Sequence, residues 1–484
     1  MIYTAQDKLQ KAAFGELVTT PITQLVQIEN KYAIDPIELD VLETFEATGG
    51  SADNDGNLFR CQTGTSVGGY GVVRSKANII YSAGQGVEAR FTASFTTGVA
   101  LSLQFGGMFS LTETLAFGYD GVDFSTIHQY NGEAEVQLIT VTATGAGTCT
   151  VTLDGTASSG ITVTSSDVQT NIREIGVGLN ADALALAWRF ECVDDKIYCI
   201  AKSTGGKAGT MSISGGVTAN IVEKTAGADK VSNNTAQASW NRTTTPFAGF
   251  DPTNLNVYRI VFGYLGIANI DYSVYNPEIG DWVLVHSVKW ANTNGTTHLR
   301  NPDLKVGWTS ASLGASGTNL TVKGASASMG IQGAESDIKI PFAAVGSTAG
   351  IGTSFTPIVS IKNRIVYGDR FNLGKLQLEI STVSNDHSKP LIVELIKNAT
   401  LTGPTVWEFE DEFNSITLVD TASTGYTGGS LIDAFTVAKD SSGILDLAKV
   451  STYLLPEETL TVVAKADSGT AVNTDATLTW IEKK

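Results

Sequence analysis

Residues 87–95 read VEARFTASF and follow the turn-like sequence SAGQG at 82–86. Apolar side chains occupy every second position, namely Val87, Ala89, Phe91, Ala93 and Phe95. Small polar groups and one charge pair occupy the positions between them, namely Glu88, Arg90, Thr92 and Ser94. This period of two predicts a β-strand with one face in a core and one face in solvent. On a solvated face, Thr92→Ala is expected to cost well under about 1 kcal/mol.

The composition of the whole chain favours the same strand-rich architecture. Its 484 residues exceed what one core usually holds and suggest roughly two to four domains. Fifty glycines, only 11 prolines and abundant Thr, Ser, Val and Ala are typical of many short strands joined by glycine turns. We therefore predict a mainly all-β fold of tandem antiparallel β-sandwich or jelly-roll-like domains, with a small inserted α+β module and a short N-terminal helical arm.

The charge of the chain argues against several classes of partner. Lys and Arg number 32 against 49 Asp and Glu, which gives a net charge of −17. A field of this sign repels nucleic-acid phosphates and anionic lipid, so no nucleic-acid partner is expected. The first residues hold no apolar run typical of a secretion signal, and no run of about 18 apolar residues occurs. We therefore expect that the protein is made in the cytoplasm and does not insert into a membrane.

Four regions with different patterns are predicted along the chain. Residues 1–60 hold the helical pattern AQDKLQKAAFGEL and the polar tract ATGGSADNDGN, and are expected to form an arm outside any core. Residues 61–136 and 224–340 contain strands and tight turns that are typical of one interrupted β-sandwich. An inserted ββαβ-type module is predicted at residues 137–223. Residues 341–484 are predicted to form a C-terminal β-sandwich.

One helix is predicted inside the inserted module, in the sequence SSDVQTNIREI. Either Ser166 or Asp167 is suited to cap its N-terminus, since both residue types accept hydrogen bonds from free backbone N–H groups. Val168, Ile172 and Ile175 have the i, i+4, i+7 spacing of one helix face.

The four cysteines do not indicate a metal site or a disulfide framework, because no CxxC spacing is present. The sequence WRFECVDDKIYCIAK predicts a hairpin that turns at Asp194–Asp195. In that register Cys192 lies opposite Ile197 and Cys199 lies opposite Phe190, so the two thiols are diagonal. Buried free thiols are the favoured interpretation.

Two strands of the C-terminal region have clear inward faces. The sequence KLQLEIS predicts that Leu376, Leu378 and Ile380 share a buried face, and ATLTWIE predicts the same for Ala476, Leu478 and Trp480.

A calcium loop is the only metal site that the sequence suggests. Asp53, Asp55 and Asn57 have the i, i+2, i+4 spacing of such a loop. However, Gly56 stands at the fourth position rather than the sixth, and Gly64 replaces the closing glutamate. These three residues are therefore weak candidates, and no other cofactor is expected.

Motifs of catalysis are missing from the sequence. His128, His286, His298 and His387 are scattered without zinc-site spacing, and His286 alternates with apolar neighbours as a strand residue would. No nucleophile elbow, P-loop or dinucleotide fingerprint occurs. We expect no enzyme activity.

One acidic cluster leaves an enzymatic alternative open. The sequence EFEDEF contributes Glu408, Glu410, Asp411 and Glu412, and polysaccharide-cleaving enzymes use carboxylate pairs. An acidic strand edge or loop is the favoured interpretation.

A long tract resembles a known group of proteins. Residues 72–133 include IIYSAGQGVEARFTASFTTGVALSLQ and the later FGYDGVDFSTIH, which are similar to a segment that recurs in virion structural proteins of tailed bacteriophages, with relatives in large algal viruses. The resemblance extends in order to AAFGEL near the start, to residues 264–294 and 306–333, and to DTASTGYTGGSLIDAF, YLLPEETLTVVAK and LTWIEKK. One departure is PEETL, where that group has a PGxTL turn.

The resemblance implies a fold and a virion location more strongly than an activity, because its motifs consist of turn, strand and core residues. It implies a fibre, spike or capsid-surface protein, made in the host cytoplasm and homotrimeric, that contacts other virion proteins through the N-terminal arm. The resemblance leaves open whether the protein also binds a glycan or a receptor on the host surface. The alternatives are a tailspike-type glycan depolymerase and a passive capsid decoration protein.

Overall fold

The fold is given by a computed structural model. It describes residues 22–31, 41–81, 84–164, 167–207, 212–263, 266–314, 317–333, 341–386, 389–450, 453–469 and 472–484. The predicted N-terminal helix, AAFGEL, Ser166 and His387 lie outside these residues. Contacts divide the chain into two compact units, which are Met1–Gly132 with Asp229–Asp337 (unit 1) and Glu133–Ala228 with Ile338–Lys484 (unit 2).

The first half of the chain supplies the first segment of each unit. The strands of unit 1 are β1 Ile22–Glu29, β2 Leu42–Ala47, β3 Ser51–Asp55, β4 Leu58–Gln62, β5 Tyr70–Ser75, β6 Gly86–Phe95, β7 Ser102–Phe109, β8 Thr114–Asp120 and β9 Asp123–Tyr130. Unit 2 follows with β10 Ala134–Thr144, β11 Gly147–Leu153, β12 Thr156–Ala157, β13 Ile161–Val163, helix α1 Val168–Ala181, a 3-10 helix Ala183–Leu186, β14 Trp188–Val193, β15 Lys196–Thr204, β16 Ser212–Ser214 and β17 Val217–Thr225.

The second half of the chain completes both units. Unit 1 gains β18 Val231–Ser232, β19 Thr235–Ala236, a 3-10 helix Gln237–Ser239, β20 Asn256–Gly263, β21 Ile270–Asn276, β22 Asp281–Val288, β23 Lys305–Ser312, β24 Thr321–Gly324 and β25 Ser326–Gln332. Unit 2 gains β26 Pro341–Ile351, β27 Thr356–Asn363, β28 Val366–Tyr367, β29 Arg370–Phe371, β30 Lys375–Asn385, β31 Leu391–Lys397, β32 Thr400–Thr402, β33 Glu408–Phe409, β34 Thr417–Asp420, β35 Gly425–Thr427, β36 Ser430–Val437, β37 Ser441–Asp446, a 3-10 helix Leu447–Val450, β38 Tyr453–Leu454, β39 Thr459–Ala466 and β40 Val472–Lys483.

Unit 1 is a sandwich of two antiparallel sheets. One sheet has the order β22-β21-β20-β6-β24-β4-β3, with β25 also paired to β6 and β1 paired to β25. The other has the order β18-β9-β8-β7-β23-β5-β2, with β19 also paired to β9. Aromatic side chains join the sheets: the rings of Phe117 and Tyr258 lie 4.8 Å apart, and those of Phe59 and Trp308 lie 5.4 Å apart. The prediction of a mainly all-β fold is confirmed.

Strand β6 has the inward face that its sequence predicts. All five apolar side chains of the alternation are buried, and the Phe91 ring stacks on Tyr258 at 5.6 Å. The opposite face differs from the prediction of a solvated surface. Glu88 is only 4% exposed and pairs with Arg90 at 2.5 Å, and the Thr92 hydroxyl accepts hydrogen bonds from the N–H groups of Ala325 and Ser326. The reason for the contacts of Thr92 is that the chain passes from β24 to β25 at this point and brings the N–H groups of Ala325 and Ser326 to the Thr92 hydroxyl.

The described parts of the predicted arm belong to the sandwich, so the prediction that residues 1–60 lie outside any core is wrong for residues 22–30 and 41–60. Strand β1 pairs with β25 and buries Val26 and Ile28, and Leu42 of β2 is buried. The short alternation in LVQIE is a strand signal that the surrounding polar tract obscures.

The predicted inserted module lies within Glu133–Ala228, and the predicted C-terminal region lies within Ile338–Lys484. Both of these regions belong to unit 2.

The inserted region forms the helix and hairpin that its sequence predicts. Asp167 caps α1 by accepting a hydrogen bond from the Thr170 N–H, and Ile172 and Ile175 are buried. The helix continues beyond Ile175 to Ala181 because Gly176 and Leu179 extend the same buried face.

The predicted cysteine register is confirmed. In the hairpin β14–β15, Cys192 pairs with Ile197 and Phe190 pairs with Cys199, and all four cysteines of the chain are free thiols.

The C-terminal region is a second sandwich. A sheet with the order β26-β40-β30-β37, in which β38 also pairs with β30, packs against a sheet with the order β33-β34-β27-β39-β31-β36. The inward face of β40 is confirmed, since Ala476, Leu478 and Trp480 are buried. The prediction for Ile380 is wrong. A β-bulge between Leu378 and Ile380 shifts the alternation by one residue, and the Ile380 side chain is 41% exposed.

Strand β6 allows a matched test of its two faces. Phe91→Ala should lower the free energy of unfolding by about 3–5 kcal/mol, because it leaves a cavity between the sheets. Thr92→Ala should lower it by about 1–2 kcal/mol, because two backbone N–H groups lose their acceptor. Thr92→Ser keeps the hydroxyl and is the control. Denaturant unfolding measures all three, and a Thr92→Ala cost equal to that of Thr92→Ser would contradict the role of the hydroxyl.

The two-segment construction of unit 1 predicts that it tolerates removal of residues 133–228. The Glu133 N–H donates to the Ala228 carbonyl at 2.8 Å, so the two cut ends lie close together. A short Gly/Ser bridge should therefore close the gap at little entropic cost. Calorimetry of the shortened chain should retain a cooperative transition for unit 1, and its loss would show that unit 1 needs the removed segment.

Candidate functional site

The weak calcium candidates lie on the hairpin β3–β4, where cationic side chains already bind both carboxylates. Asp53 forms a two-pronged ion pair with Arg60, with N–O distances of 2.7 and 2.8 Å. Asp55 pairs with Lys323 at 2.6 Å, and Asn57 lies in the turn after Gly56. The structure thus places the two aspartates on one face of β3 and Asn57 beyond its end. No group of three or more metal-ligating side chains is found in the described residues.

The acidic cluster EFEDEF serves local structure at two of its four carboxylates. Glu412 pairs with Lys196 at 2.6 Å. Asp411 accepts hydrogen bonds from the N–H groups of Phe413 and Asn414, both at 2.9 Å, and so stabilises the turn after β33. Glu408 and Glu410 are exposed. These contacts match an acidic turn better than an acid and base pair in a cleft.

Two of the histidines meet in the core of unit 1. His128 Nε2 donates to the His298 carbonyl at 2.9 Å, and both rings make edge contacts with Trp290. Burial lowers the pKa of each imidazole to about 4. His286 is a buried residue of β22, as its alternation predicts. Because His128 and His298 are 170 residues apart, no spacing rule could have brought them together.

A buried carboxyl group near these histidines was not predicted from the sequence. Glu113 is fully buried and accepts hydrogen bonds from the N–H groups of Arg300 and Asn301, at 2.8 and 3.4 Å. Burial raises its pKa to about 7, against the effect of these bonds and of nearby Lys230. Burial also lowers the pKa of the Lys230 ammonium to about 8. In SLTETLAF, Glu113 stands in a polar turn, and a turn glutamate gives no sequence signal of burial.

The described part of unit 2 contains an open groove that could hold a ligand. Its volume is about 750 Å³, and it lies between α1, the hairpin β14–β15 and the segment 399–407. Apolar side chains dominate its lining, with Trp407 among them, and Arg173 spans one side by donating to the Gly403 carbonyl at 2.9 Å.

The surroundings of two polar groups in the groove limit their reactivity. Burial raises the pKa of the Cys192 thiol in its floor to about 12, which leaves the thiol protonated and weakly nucleophilic. The Lys362 ammonium lies 3.4 Å from the buried Glu191 carboxylate, which compensates its charge. Sequence reasoning missed the groove because its walls come from three separate segments.

Comparisons with known proteins give no family assignment. No protein-family model matches the chain, and no curated protein matches it.

Among solved structures, the chain is similar to viral capsid proteins of infectious bursal disease virus. The VP2 subviral particle is 8% identical, with 84% of this chain and 78% of that chain covered and a TM-score of 0.17. The Gx strain structure is also 8% identical, with 96% and 77% covered and a TM-score of 0.17. TM-scores this low do not establish a shared fold. No helix in the described residues is long and apolar enough to cross a membrane.

The raised pKa of Glu113 predicts how Glu113→Gln changes stability with pH. In the unfolded chain this carboxyl group titrates near 4.5, and in the folded protein near 7. The wild type therefore loses stability as pH rises from 4.5 to 7, whereas the glutamine variant has no such loss. Between pH 4.5 and pH 8 the variant should gain up to about 3 kcal/mol relative to the wild type.

Denaturant unfolding across this pH range measures the difference, and effects of the two histidines cancel because both proteins contain them. Glu278→Gln, on the exposed turn between β21 and β22, is the control. A constant difference between wild type and Glu113→Gln would show that Glu113 titrates alike in the folded and unfolded states.

Proposed function

We propose that this chain is a structural component of a virus particle. It is a bacteriophage fibre, spike or capsid-surface protein that faces the host and assembles as a homotrimer. The observation that supports this most is the ordered resemblance to virion structural proteins, above all at residues 72–133.

The position of the resembling residues fits an architectural role. Residues 72–133 span β6, β7, β8 and β9, which belong to both sheets of the unit 1 sandwich. Their recurrent residues include buried Phe91, Phe95, Phe117 and Phe124, and Gly121 in the turn between β8 and β9, which has a φ of 65°. Such residues maintain a fold, and a particle subunit is selected for a fold that assembles.

A sheet edge in unit 2 favours a role in an assembly. Within the described residues, strand β26 pairs with β40 on one side only. In unit 1 the edge of β22 is already covered, because the N–H groups of Arg242 and Thr243 donate to the Val285 carbonyl. A second chain can cover unpaired backbone groups of this kind, and proteins that work alone usually protect them.

We propose no catalytic role. The glycan-depolymerase alternative rests on the acidic cluster EFEDEF. In that cluster Glu412 pairs with Lys196, and Asp411 accepts hydrogen bonds from the turn that follows β33. Passive capsid decoration requires the same fold and differs from the main proposal only in its partners.

Immunogold labelling tests the proposed location. An antibody raised against the purified protein should place gold on the surface of negatively stained virions, at tail fibres or on the capsid. An antibody against an internal virion protein is the control for broken particles. Purified virions without gold, in a preparation whose lysate contains the protein, would contradict a structural role.

A further inference from the structure

One end of the unit 1 sandwich presents four exposed apolar side chains on four separate loops. They are Val67, Leu101, Val122 and Leu313, with exposed fractions of 55%, 65%, 61% and 65%. We call this surface the apolar loop end. Large apolar side chains that cluster in solvent commonly mark an interaction surface.

Backbone hydrogen bonds hold these loops next to one another. The Leu313 N–H donates to the Leu101 carbonyl at 2.9 Å, which joins two of the four exposed residues directly. The Gly68 N–H donates to the Ser312 carbonyl at 3.1 Å, and the Gly121 N–H donates to the Ser102 carbonyl at 2.9 Å. These bonds connect the neighbours of Val67 and Val122 to the same pair of loops. The apolar loop end is therefore one fixed surface.

Leu101 has a backbone conformation that a bulky residue seldom adopts. Its φ is 58°, in the left-handed region that favours glycine or asparagine. A strained leucine is understandable when its side chain fills a core, but this side chain is mostly exposed. Strain of this kind that persists on a surface points to a function of the side chain itself.

The charges of the chain indicate what kind of partner fits this surface. The loop segments 63–69, 96–102 and 310–314, which carry Val67, Leu101 and Leu313, contain no charged residue, in a chain with a net charge of −17. Val122 lies between the exposed carboxylates of Asp120 and Asp123 and therefore stands at the rim of this surface. Two copies of so acidic a protein repel each other, and contact is least unfavourable where charges are missing. An anionic membrane is a poorer fit, because these segments offer no lysine or arginine.

We infer that the apolar loop end is a contact between copies of this chain, with Leu101 and Leu313 at its centre. The inference rests on the proposed homo-oligomer and names the surface that forms it. Each copy would bury its two leucines against the uncharged loops of a neighbour.

Light scattering of the full chain across a concentration series tests the inference. The wild type should approach three times 51.0 kDa. Leu101→Gly removes the side chain and permits the same backbone conformation, so it should shift dissociation to at least tenfold higher concentration. Its melting temperature, measured where all proteins are monomeric, should equal or exceed that of the wild type. Leu313→Ser should weaken association in the same way and provides a second variant if the first fails to fold.

Val41→Ser is the matched control, because Val41 is 55% exposed and precedes β2, whose Leu42 pairs with Ser75 at the far end of β5. It should associate as the wild type does. Wild-type association in both leucine variants, or equal weakening by Val41→Ser, would overturn the inference and leave the homo-oligomer standing. A wild type that stays monomeric would overturn both. A monomer that floats with neutral phosphatidylcholine vesicles would assign the surface to lipid instead.

Discussion

The alternating burial of β6 sets the register of unit 1. This strand pairs with β20 along one edge and with β25 and β24 along the other. Its five inward side chains fill the space between the two sheets. A slip of one residue would turn all five towards the polar side and bring Glu88 and Arg90 into the aromatic core. The partner strands, and the loops that follow them, depend on this one choice of face.

Features encoded by neighbouring residues were predictable from the sequence. The alternation of β6, the cap of α1 at Asp167 and the register of Cys192 against Ile197 each depend on residues a few positions apart. The bulge in β30 was not predictable, because KLQLEIS alternates regularly and only pairing with β40 shifts Ile380 outwards. The polar face of β6 was misjudged for a similar reason, since β25 lies more than 230 residues further along the chain.

The candidate sites divide in the same way. The acidic residues at 53–57 and 408–412 are visible in the sequence. The sequence does not show which cationic side chains pair with them, such as Lys323 and Lys196. It gives no sign that His128, His298 and Glu113 share one buried region, because separate strands and loops carry them there. Burial of these groups costs free energy of solvation, and backbone hydrogen bonds offset part of that cost. Such a region is tolerated only where the surrounding sandwich holds it in place.

The order of segments along the chain also bears on how the protein is made. Val87 of β6 pairs with Ile331 of β25, so the central sheet of unit 1 stays incomplete until the ribosome has released residue 331. The segment that contains α1 and the hairpin β14–β15 emerges long before that point. During synthesis β6 can pair with β20 before that point, but its other edge stays unpaired until β24 and β25 emerge, and pairings this distant in sequence form slowly. Unpaired strand edges favour aggregation, so synthesis of this chain exposes one such edge for as long as β25 remains inside the ribosome.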